Sequence, residues 1–229
     1  IHCRKKRSER KQKMIRIGQL KLNPDHSKED LVQKIAKTLR ITEKEILDFQ
    51  IKKQSLDARK KPELKYVYTV DVKVQNEKQI LKKQKNNQVT QVSESNYSFP
   101  KNGLIPCKHR PIIIGCGPAG LFCAYLLAQH GYKPILFERG ASVEERVKDI
   151  ENFWNTGQLN EQSNVQFGEG GAGTFSDGKL NTLVKDAHGR NKKVLQIFVE
   201  NGAPEDILYT NKPHIGTDIL VDVVRNMRN

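Results

Sequence analysis

The pattern of apolar and polar residues is clearest in the first third of the chain. Residues 66–74 alternate Tyr and Val with other residues at a period of two, which predicts a strand with one buried face. Apolar residues at helical spacing follow Ser27 and predict an amphipathic helix that begins there. A first strand that starts at Met14 and a short second helix over 42–49 complete the prediction of a small α+β domain of βαββ type over residues 14–75.

The segments that flank this domain lack such periodicity. Residues 1–13 carry seven Lys or Arg against one Glu, which predicts a disordered basic tail. The tail is interpreted either as an arm for nucleic acid or an anionic membrane, or as an extension that precedes the native start at Met14. Residues 76–110 are rich in Lys, Gln, Asn and Ser and predict a linker. Because no apolar run approaches the roughly 18 residues of a membrane span, we expect a soluble protein without membrane partners.

Three isoleucines and a run of glycines follow the predicted linker. Ile112, Ile113 and Ile114 have the composition of a strand buried on both faces. The residues that follow fit G-x-G-x-x-G, in which the first glycine allows a tight turn, the second lets the backbone approach a pyrophosphate, and the third lets the next helix pack closely. The motif predicts a dinucleotide-binding turn, with an ordinary βα turn as the alternative. The candidate cofactor contacts in this turn are Gly115, Gly117, Pro118, Ala119 and Gly120.

A carboxylate follows the next apolar segment at the spacing that dinucleotide folds use. Glu138 comes eighteen residues after Gly120 and ends the segment that starts at Pro134, where a ribose-binding carboxylate is expected. Arg139 beside it would suit a 2′-phosphate, but the glutamate would repel that group. The pair therefore favours an adenine dinucleotide without the 2′-phosphate.

A second glycine-rich stretch lies at 163–182. It has five glycines between positions 168 and 178, so its backbone either bends sharply or lies against a group that leaves no room for side chains. Phe167 and Phe175 supply apolar anchors, which favours contact with a cofactor or substrate over a mobile surface loop. The candidate contacts in this loop are Gly171, Gly173, Thr174, Ser176 and Lys179.

The distribution of charge and the spacing of the cysteines bear on the partners of the protein and on its cellular compartment. The formal net charge of +14 belongs to the first half of the chain, because residues 111–229 carry 12 Lys or Arg against 14 Asp or Glu. A basic first half leaves open an RNA-associated role, although its aromatic residues form no recognisable RNA motif. The four cysteines have no C-x-x-C spacing, which favours a cytoplasmic protein without disulfides, and we expect no metal site.

The glycine turn, the run L-F-E-R-G at 136–140 and above all the run at 163–182 resemble a bacterial family of FAD-dependent dehydrogenase-like proteins. These are flavoproteins with two dinucleotide-binding domains. M-I-R-I at 14–17 and K-P-H-I-G-T-D at 212–218 share the resemblance. It implies that FAD lies extended, with its pyrophosphate on the first turn, its ribose at Glu138 and its flavin towards the loop at 170–179.

The predicted fold class is therefore α/β: an incomplete Rossmann-like FAD-binding domain over 111–229, preceded by a small α+β domain of ferredoxin-like type. Because members of the family are longer, we expect the chain to be an N-terminal fragment of a FAD-binding oxidoreductase. Its substrate and its electron donor or acceptor are not indicated, and the sequence nominates no catalytic side chain. The alternatives are an RNA-associated adaptor without enzymatic activity and an NAD(P)-dependent dehydrogenase.

Overall fold

The structure, a computed structural model, describes residues 13–93, 96–180, 182 and 184–229. The predicted basic tail therefore lies outside the described residues, except that Lys13 begins the first strand. The chain divides into two units. The first runs to Asn96 and includes Tyr209–Asn211, and the second comprises Tyr97–Leu208 and Lys212–Asn229.

Over its described residues, the first unit is a four-stranded antiparallel sheet with two α-helices. The strands lie in the order β2-β3-β1-β4, so β1 is central and pairs with both β3 and β4. The elements, in chain order, are β1 (Lys13–Leu22), α1 (Lys28–Leu39), β2 (Ile46–Lys60), β3 (Glu63–Val74), α2 (Glu77–Lys83) and β4 (Val89–Ser93).

The helix and strand with the clearest sequence patterns are confirmed. Ser27 caps α1, because its Oγ accepts a hydrogen bond from the backbone N–H of Asp30 at 3.2 Å while the Asp30 carboxylate accepts one from the N–H of Ser27 at 2.8 Å. Every second residue of β3 from Tyr68 to Val74 is buried and packs in the same cluster as the apolar residues of α1. The buried core of this unit includes Ile15, Ile17, Leu31, Ile35, Leu39, Tyr68, Val70 and Val72.

Two sequence predictions for this unit are corrected. The predicted linker over 76–110 is structured over 77–93, where α2 and β4 form and β4 pairs with β1. Its apolar residues are few because β4 is an edge strand and α2 buries one side chain, Ile80. The helix predicted over 42–49 is a single 3₁₀ turn, Glu43–Glu45, after which β2 begins and pairs with β3.

A buried carboxylate on β3 pairs with basic side chains of the two neighbouring strands. Asp71 on β3 is 1% exposed, and both of its oxygens accept hydrogen bonds from Arg16 on the neighbouring strand, at 2.7 and 2.8 Å. Lys52 on β2 lies 3.8 Å away. The bidentate geometry stabilises the negative charge that burial would otherwise penalise.

The substitution Asp71→Asn is expected to lower the free energy of unfolding by about 1–3 kcal/mol, because the buried amide carries no charge and offers Arg16 one acceptor oxygen in place of two. Asp48→Asn, at an exposed position of β2, is the matched control and is expected to have little effect. Urea denaturation followed by circular dichroism measures both. Equal stability of the two variants would contradict a stabilising role for this pair.

The second unit is built from a short parallel strand pair and four helices. Its elements are β5 (Ile112–Ile114), α3 (Pro118–Gln129), β6 (Ile135–Phe137), α4 (Val143–Thr156), α5 (Arg190–Glu200) and α6 (Thr217–Arg228), with 3₁₀ helices at Ala172–Phe175 and Glu205–Leu208. The predicted strand–helix–strand unit is confirmed, since β5 and β6 pair in parallel with Ile113 opposite Leu136.

The expected burial of β5 on both faces is wrong. Ile112 is 64% exposed and Ile114 is 79% exposed, and Phe137 opposite Ile114 is exposed as well. The helix α3 covers the other face of the strand pair, where Ile113 lies against Gly120. A two-stranded sheet with a helix on one side leaves the other side open.

The core of this unit lies where α3, α5 and α6 meet. Ile197 of α5 and Leu220, Val223, Val224 and Met227 of α6 are buried there with Leu121 of α3. Among the described residues, no helix has the length and apolar content that crossing a membrane requires.

Candidate functional site

The glycine turn between β5 and α3 has the geometry that its motif predicts. Gly115 has φ +92°, a conformation that side chains disfavour, and its N–H donates to the carbonyl of Phe137 at 2.7 Å. Gly120 packs so closely that an added Cβ would collide with the carbonyl of Gly115. These two glycines are therefore required by the fold of the turn itself.

Gly117 is different. It is the N-cap of α3 with φ −68° and ψ −179°, which any residue adopts, and an added Cβ would meet no described atom within 4 Å. Nothing in the described packing explains a glycine here. The free N-terminus of a 12-residue helix begins at this point, and its N–H groups and dipole favour an anion. An external group that comes close to the backbone would account for the missing side chain.

The carboxylate of Glu138 closes the turn from the other side. Its Oε2 accepts a hydrogen bond from the N–H of Cys116 at 2.5 Å, and its Oε1 accepts one from the N–H of Gly140 at 2.8 Å. The predicted ribose-binding residue thus lies at the turn and is fixed there by two backbone groups. Each carboxylate oxygen has a second lone pair that can accept a further hydrogen bond.

The loop over 163–182 packs against this turn. The N–H of Gly170 donates to the carbonyl of Cys116 at 2.8 Å. An added Cβ on Gly171 would come within 2.9 Å of Pro118 and 3.4 Å of the Gly117 Cα. The structure therefore brings the two glycine-rich segments together at the N-terminus of α3.

Most glycines of this loop are explained by contacts within the protein. Gly168, Gly170, Gly171 and Gly178 all have positive φ and lie against protein atoms that would clash with a Cβ. Gly173 is the exception, because it is exposed and an added Cβ would meet nothing described within 4 Å. Of the loop glycines, Gly173 has the same open surroundings as Gly117.

The polar candidates of the loop are either buried in it or bonded to it. Thr174 is 1% exposed and lies against Gly170, so its hydroxyl does not face open space. The Ser176 hydroxyl donates to the carbonyl of Gly173 at 2.8 Å, and Lys179 pairs with Asp177 at 2.8 Å. We therefore regard these three side chains as parts of the loop rather than as a direct phosphate cradle.

Arg139 also lies beside the loop and is exposed. Its guanidinium carbon is 4.9 Å from the centre of the Phe167 ring, a cation–π contact. His214, whose backbone pairs with Lys179, is exposed as well. No described contact joins either residue to the glycine turn.

Sequence reasoning missed three charged residues that organise the site. Arg146 of α4 is fully buried, and its guanidinium donates to loop carbonyls and lies 4.7 Å from the centre of the Phe175 ring. Burial lowers the pKa of Arg146, while the carboxylates of Glu138 and Glu169 raise it. A signal was present in the sequence, because Arg146 falls between Val143 and Ile150 on the buried stripe of α4.

The other two charged residues that sequence reasoning missed are Glu169 of the loop and Arg228 of α6. The Glu169 carboxylate is buried and accepts a hydrogen bond from the N–H of Val143 at 2.7 Å. It therefore caps α4, whose N-cap residue Ser142 makes no capping hydrogen bond with its own side chain. Arg228, at the end of α6, donates to Glu169 at 2.7 Å and to Glu144 at 2.6 and 3.1 Å. A carboxylate at a helix N-terminus also interacts favourably with the dipole.

The thiol of Cys116 is buried within the turn. Burial raises its pKa to about 11, with a further rise from the negative charge of Glu169. A thiol that stays protonated is a poor nucleophile, so the side chain serves as a small buried group. Cys107 and Cys123 are exposed and, like Cys116, are not in disulfides.

A cavity of about 640 Å³ opens beside Glu138. Its walls are mostly apolar and come largely from α3, β6 and the end of α6, and its charged lining residues are Lys133, Glu138, Glu169 and Arg228. The volume falls in the range of small-molecule sites. The apolar lining includes Leu121, Ala124, Tyr125, Leu136 and Met227.

Comparison with known proteins agrees with this geometry. Residues 113–162 match the model of the NAD(P)-binding Rossmann-like domain, a span that contains the glycine turn, α3, β6 and α4. This match supports a dinucleotide cofactor and an oxidoreductase-like family for the region. Residues 14–73 match a domain of unknown function (DUF8436).

A relative from Clostridium beijerinckii (strain ATCC 51743 / NCIMB 8052), described as an uncharacterized protein, is 44% identical over 214 residues. The alignment covers 93% of the chain and 40% of the relative. The chain therefore spans less than half of that protein's length.

The contact between Arg228 and Glu144 predicts a pH dependence. Hydrogen bonds from Arg228 lower the pKa of Glu144 to about 2, from an ordinary value of 4.5. The stability that this pair contributes is complete above pH 4.5 and is lost as the pH falls towards 2.

In Glu144→Gln, the fall in melting temperature between about pH 6 and about pH 3 is expected to be smaller than in the wild-type protein. Glu151→Gln, at an exposed site of the same helix, controls for the loss of one charge, and an equal change in both variants would contradict the assignment.

Proposed function

We propose that the second unit binds FAD and belongs to an oxidoreductase, with the pyrophosphate at the N-terminus of α3. The observation that carries this proposal is Gly117, a helix N-cap whose backbone conformation and surroundings would accept a side chain. A phosphate that approaches the backbone at this point explains why a glycine stands there.

The residues present fit such a cofactor. The turn would hold the pyrophosphate through the N–H groups of Ala119 and Gly120, with Gly115, Gly117 and Pro118 shaping the backbone. Glu138, already fixed by two backbone N–H groups, has lone pairs left to accept a ribose hydroxyl. The adjacent cavity would take the apolar part of the adenosine.

The loop over 163–182 supports FAD over a freely exchanging nicotinamide cofactor. It packs on the turn through Gly170 and Gly171 and leaves Gly173 exposed nearby in the chain. We propose that an extended cofactor passes from the turn to this exposed glycine. Bound FAD would supply hydride or electron transfer to a second reactant, which is an unidentified electron donor or acceptor.

For the first unit we propose a ferredoxin-like fold. Its chain order βαββαβ and its sheet order β2-β3-β1-β4 support this assignment. The alternative of an RNA-binding sheet gains no support, because Phe49, Tyr66 and Tyr68 pack against the core of the unit. An RNA-binding sheet of this kind presents such rings on its open face.

Titration with FAD, NAD⁺ and NADP⁺ tests the cofactor. We expect the 229-residue protein to bind FAD, seen as a change in flavin fluorescence, more tightly than it binds NAD⁺. NADP⁺ is expected to bind weakest, since its 2′-phosphate would meet the Glu138 carboxylate. If NAD⁺ binds more tightly than FAD, the cofactor of this turn is a nicotinamide dinucleotide and the FAD proposal is wrong. If none of the three binds, the proposed dinucleotide site is refuted.

Gly117→Ala tests the position of the pyrophosphate. The added methyl group has room in the protein but would occupy the space of the phosphate, so FAD affinity is expected to fall at least tenfold, or about 1.4 kcal/mol, with little change in melting temperature. Gly103→Ala is the matched control, because its Cβ also meets no described atom within 4 Å and it lies outside the turn. If both variants bind FAD like the wild-type protein, the pyrophosphate does not lie at Gly117.

A further inference from the structure

The guanidinium of Arg146 gathers four backbone carbonyls of the glycine-rich loop. Nε and Nη2 donate to Asn164 at 3.3 and 2.9 Å, and Nη2 also donates to Val165 at 3.2 Å. Nη1 donates to Gly171 at 3.1 Å and to Glu169. A guanidinium has five N–H groups, and these five contacts use all of them.

Such an arrangement makes a buried charge tolerable. Arg146 is 0% exposed, and an unpaired cation at this depth would be strongly disfavoured. Charge-assisted hydrogen bonds to the carbonyls and the face of Phe175 replace the water that it loses. Lysine, with three donors on one atom, does not reproduce this planar fork.

One peptide group links Arg146 to the glycine turn. The carbonyl of Glu169 accepts from Arg146, and the N–H of the same peptide, that of Gly170, donates to the carbonyl of Cys116 at 2.8 Å. Because the two polar groups of a trans peptide point in opposite directions, fixing the carbonyl aims the N–H. The other backbone group of Cys116, its N–H, is held by Glu138.

We propose that Arg146 is a positioning residue for the cofactor site: it touches no cofactor, but through the Glu169–Gly170 peptide it holds the loop against the turn and fixes the turn that receives the pyrophosphate. This inference rests on the proposed FAD function. It assigns a role to a residue of α4 that lies outside both glycine-rich segments.

The test uses the full 229-residue protein with Arg146→Lys and Arg146→Ala. Arg225→Met is the matched control, since Arg225 pairs with Asp222 on the surface of α6 at 2.6 Å. In both Arg146 variants we expect FAD affinity to fall at least tenfold, while Arg225→Met binds like the wild-type protein. Hydrogen exchange without FAD should show faster exchange at 164–175, including the N–H of Gly170.

Chemical rescue separates positioning from general stabilisation. Methylguanidinium, which restores the planar donors, is expected to recover part of the FAD affinity of Arg146→Ala, and methylammonium is not. Folded variants that bind FAD like the wild-type protein would overturn the inference. Failure of both variants to fold would also overturn it, because Arg146 would then serve the stability of the unit as a whole.

The two proposals fail in different ways. If the wild-type protein does not bind FAD, the proposed function is refuted and the positioning role falls with it. If the wild-type protein binds FAD and the Arg146 variants exchange and bind as it does, only the positioning role is refuted.

Discussion

The site depends on one peptide group, the one that joins Glu169 to Gly170. Its carbonyl is held by a buried guanidinium and its N–H holds the carbonyl of Cys116 in the turn. Gly171 follows immediately and packs on Pro118, so the contact has room for no side chain. The glycines of the loop are thus explained mainly by protein atoms packed against them, which are side-chain atoms of Arg146, Thr174 and Pro118 at Gly168, Gly170 and Gly171 and a backbone carbonyl at Gly178, whereas Gly173 faces open space.

Positively and negatively charged side chains alternate around this contact. Arg146 faces the loop carbonyls, Glu169 joins the N-terminus of α4 to Arg228, and Arg228 reaches Glu144. The network joins α4, the loop and the end of α6 through the buried Arg146 and Glu169 and the exposed pair of Arg228 with Glu144. Removing a partner of the buried Glu169 carboxylate is costly, because the remaining buried charge loses part of its compensation.

The sequence was most informative where one local rule decides the outcome. The alternation over 66–74 and the glycine spacing after Ile114 each predicted an element that the structure contains. Glu138 was found by its spacing, but its bonds to Cys116 and Gly140 depend on how the turn folds back. The strand β4 was missed since an edge strand with two valines carries little apolar signal.

Arg146 shows a different limit. An arginine on a buried helical stripe is visible in the sequence, but its partners are carbonyls, which have no sequence signature. The same holds for Glu169, which caps a helix that begins 26 residues earlier in the chain. Long-range contacts between side chain and backbone are therefore the part of the site that patterns do not predict.

The open face of the β5–β6 pair has a consequence for association. Ile112, Ile114 and Phe137 lie on the same face and are exposed, whereas parallel sheets are normally covered on both sides. Fully burying a side chain of this size is worth about 1.5–3 kcal/mol relative to full exposure, and these three side chains are 54–79% exposed. Covering this face would therefore contribute a large part of that free energy to association without altering the glycine turn that follows β5.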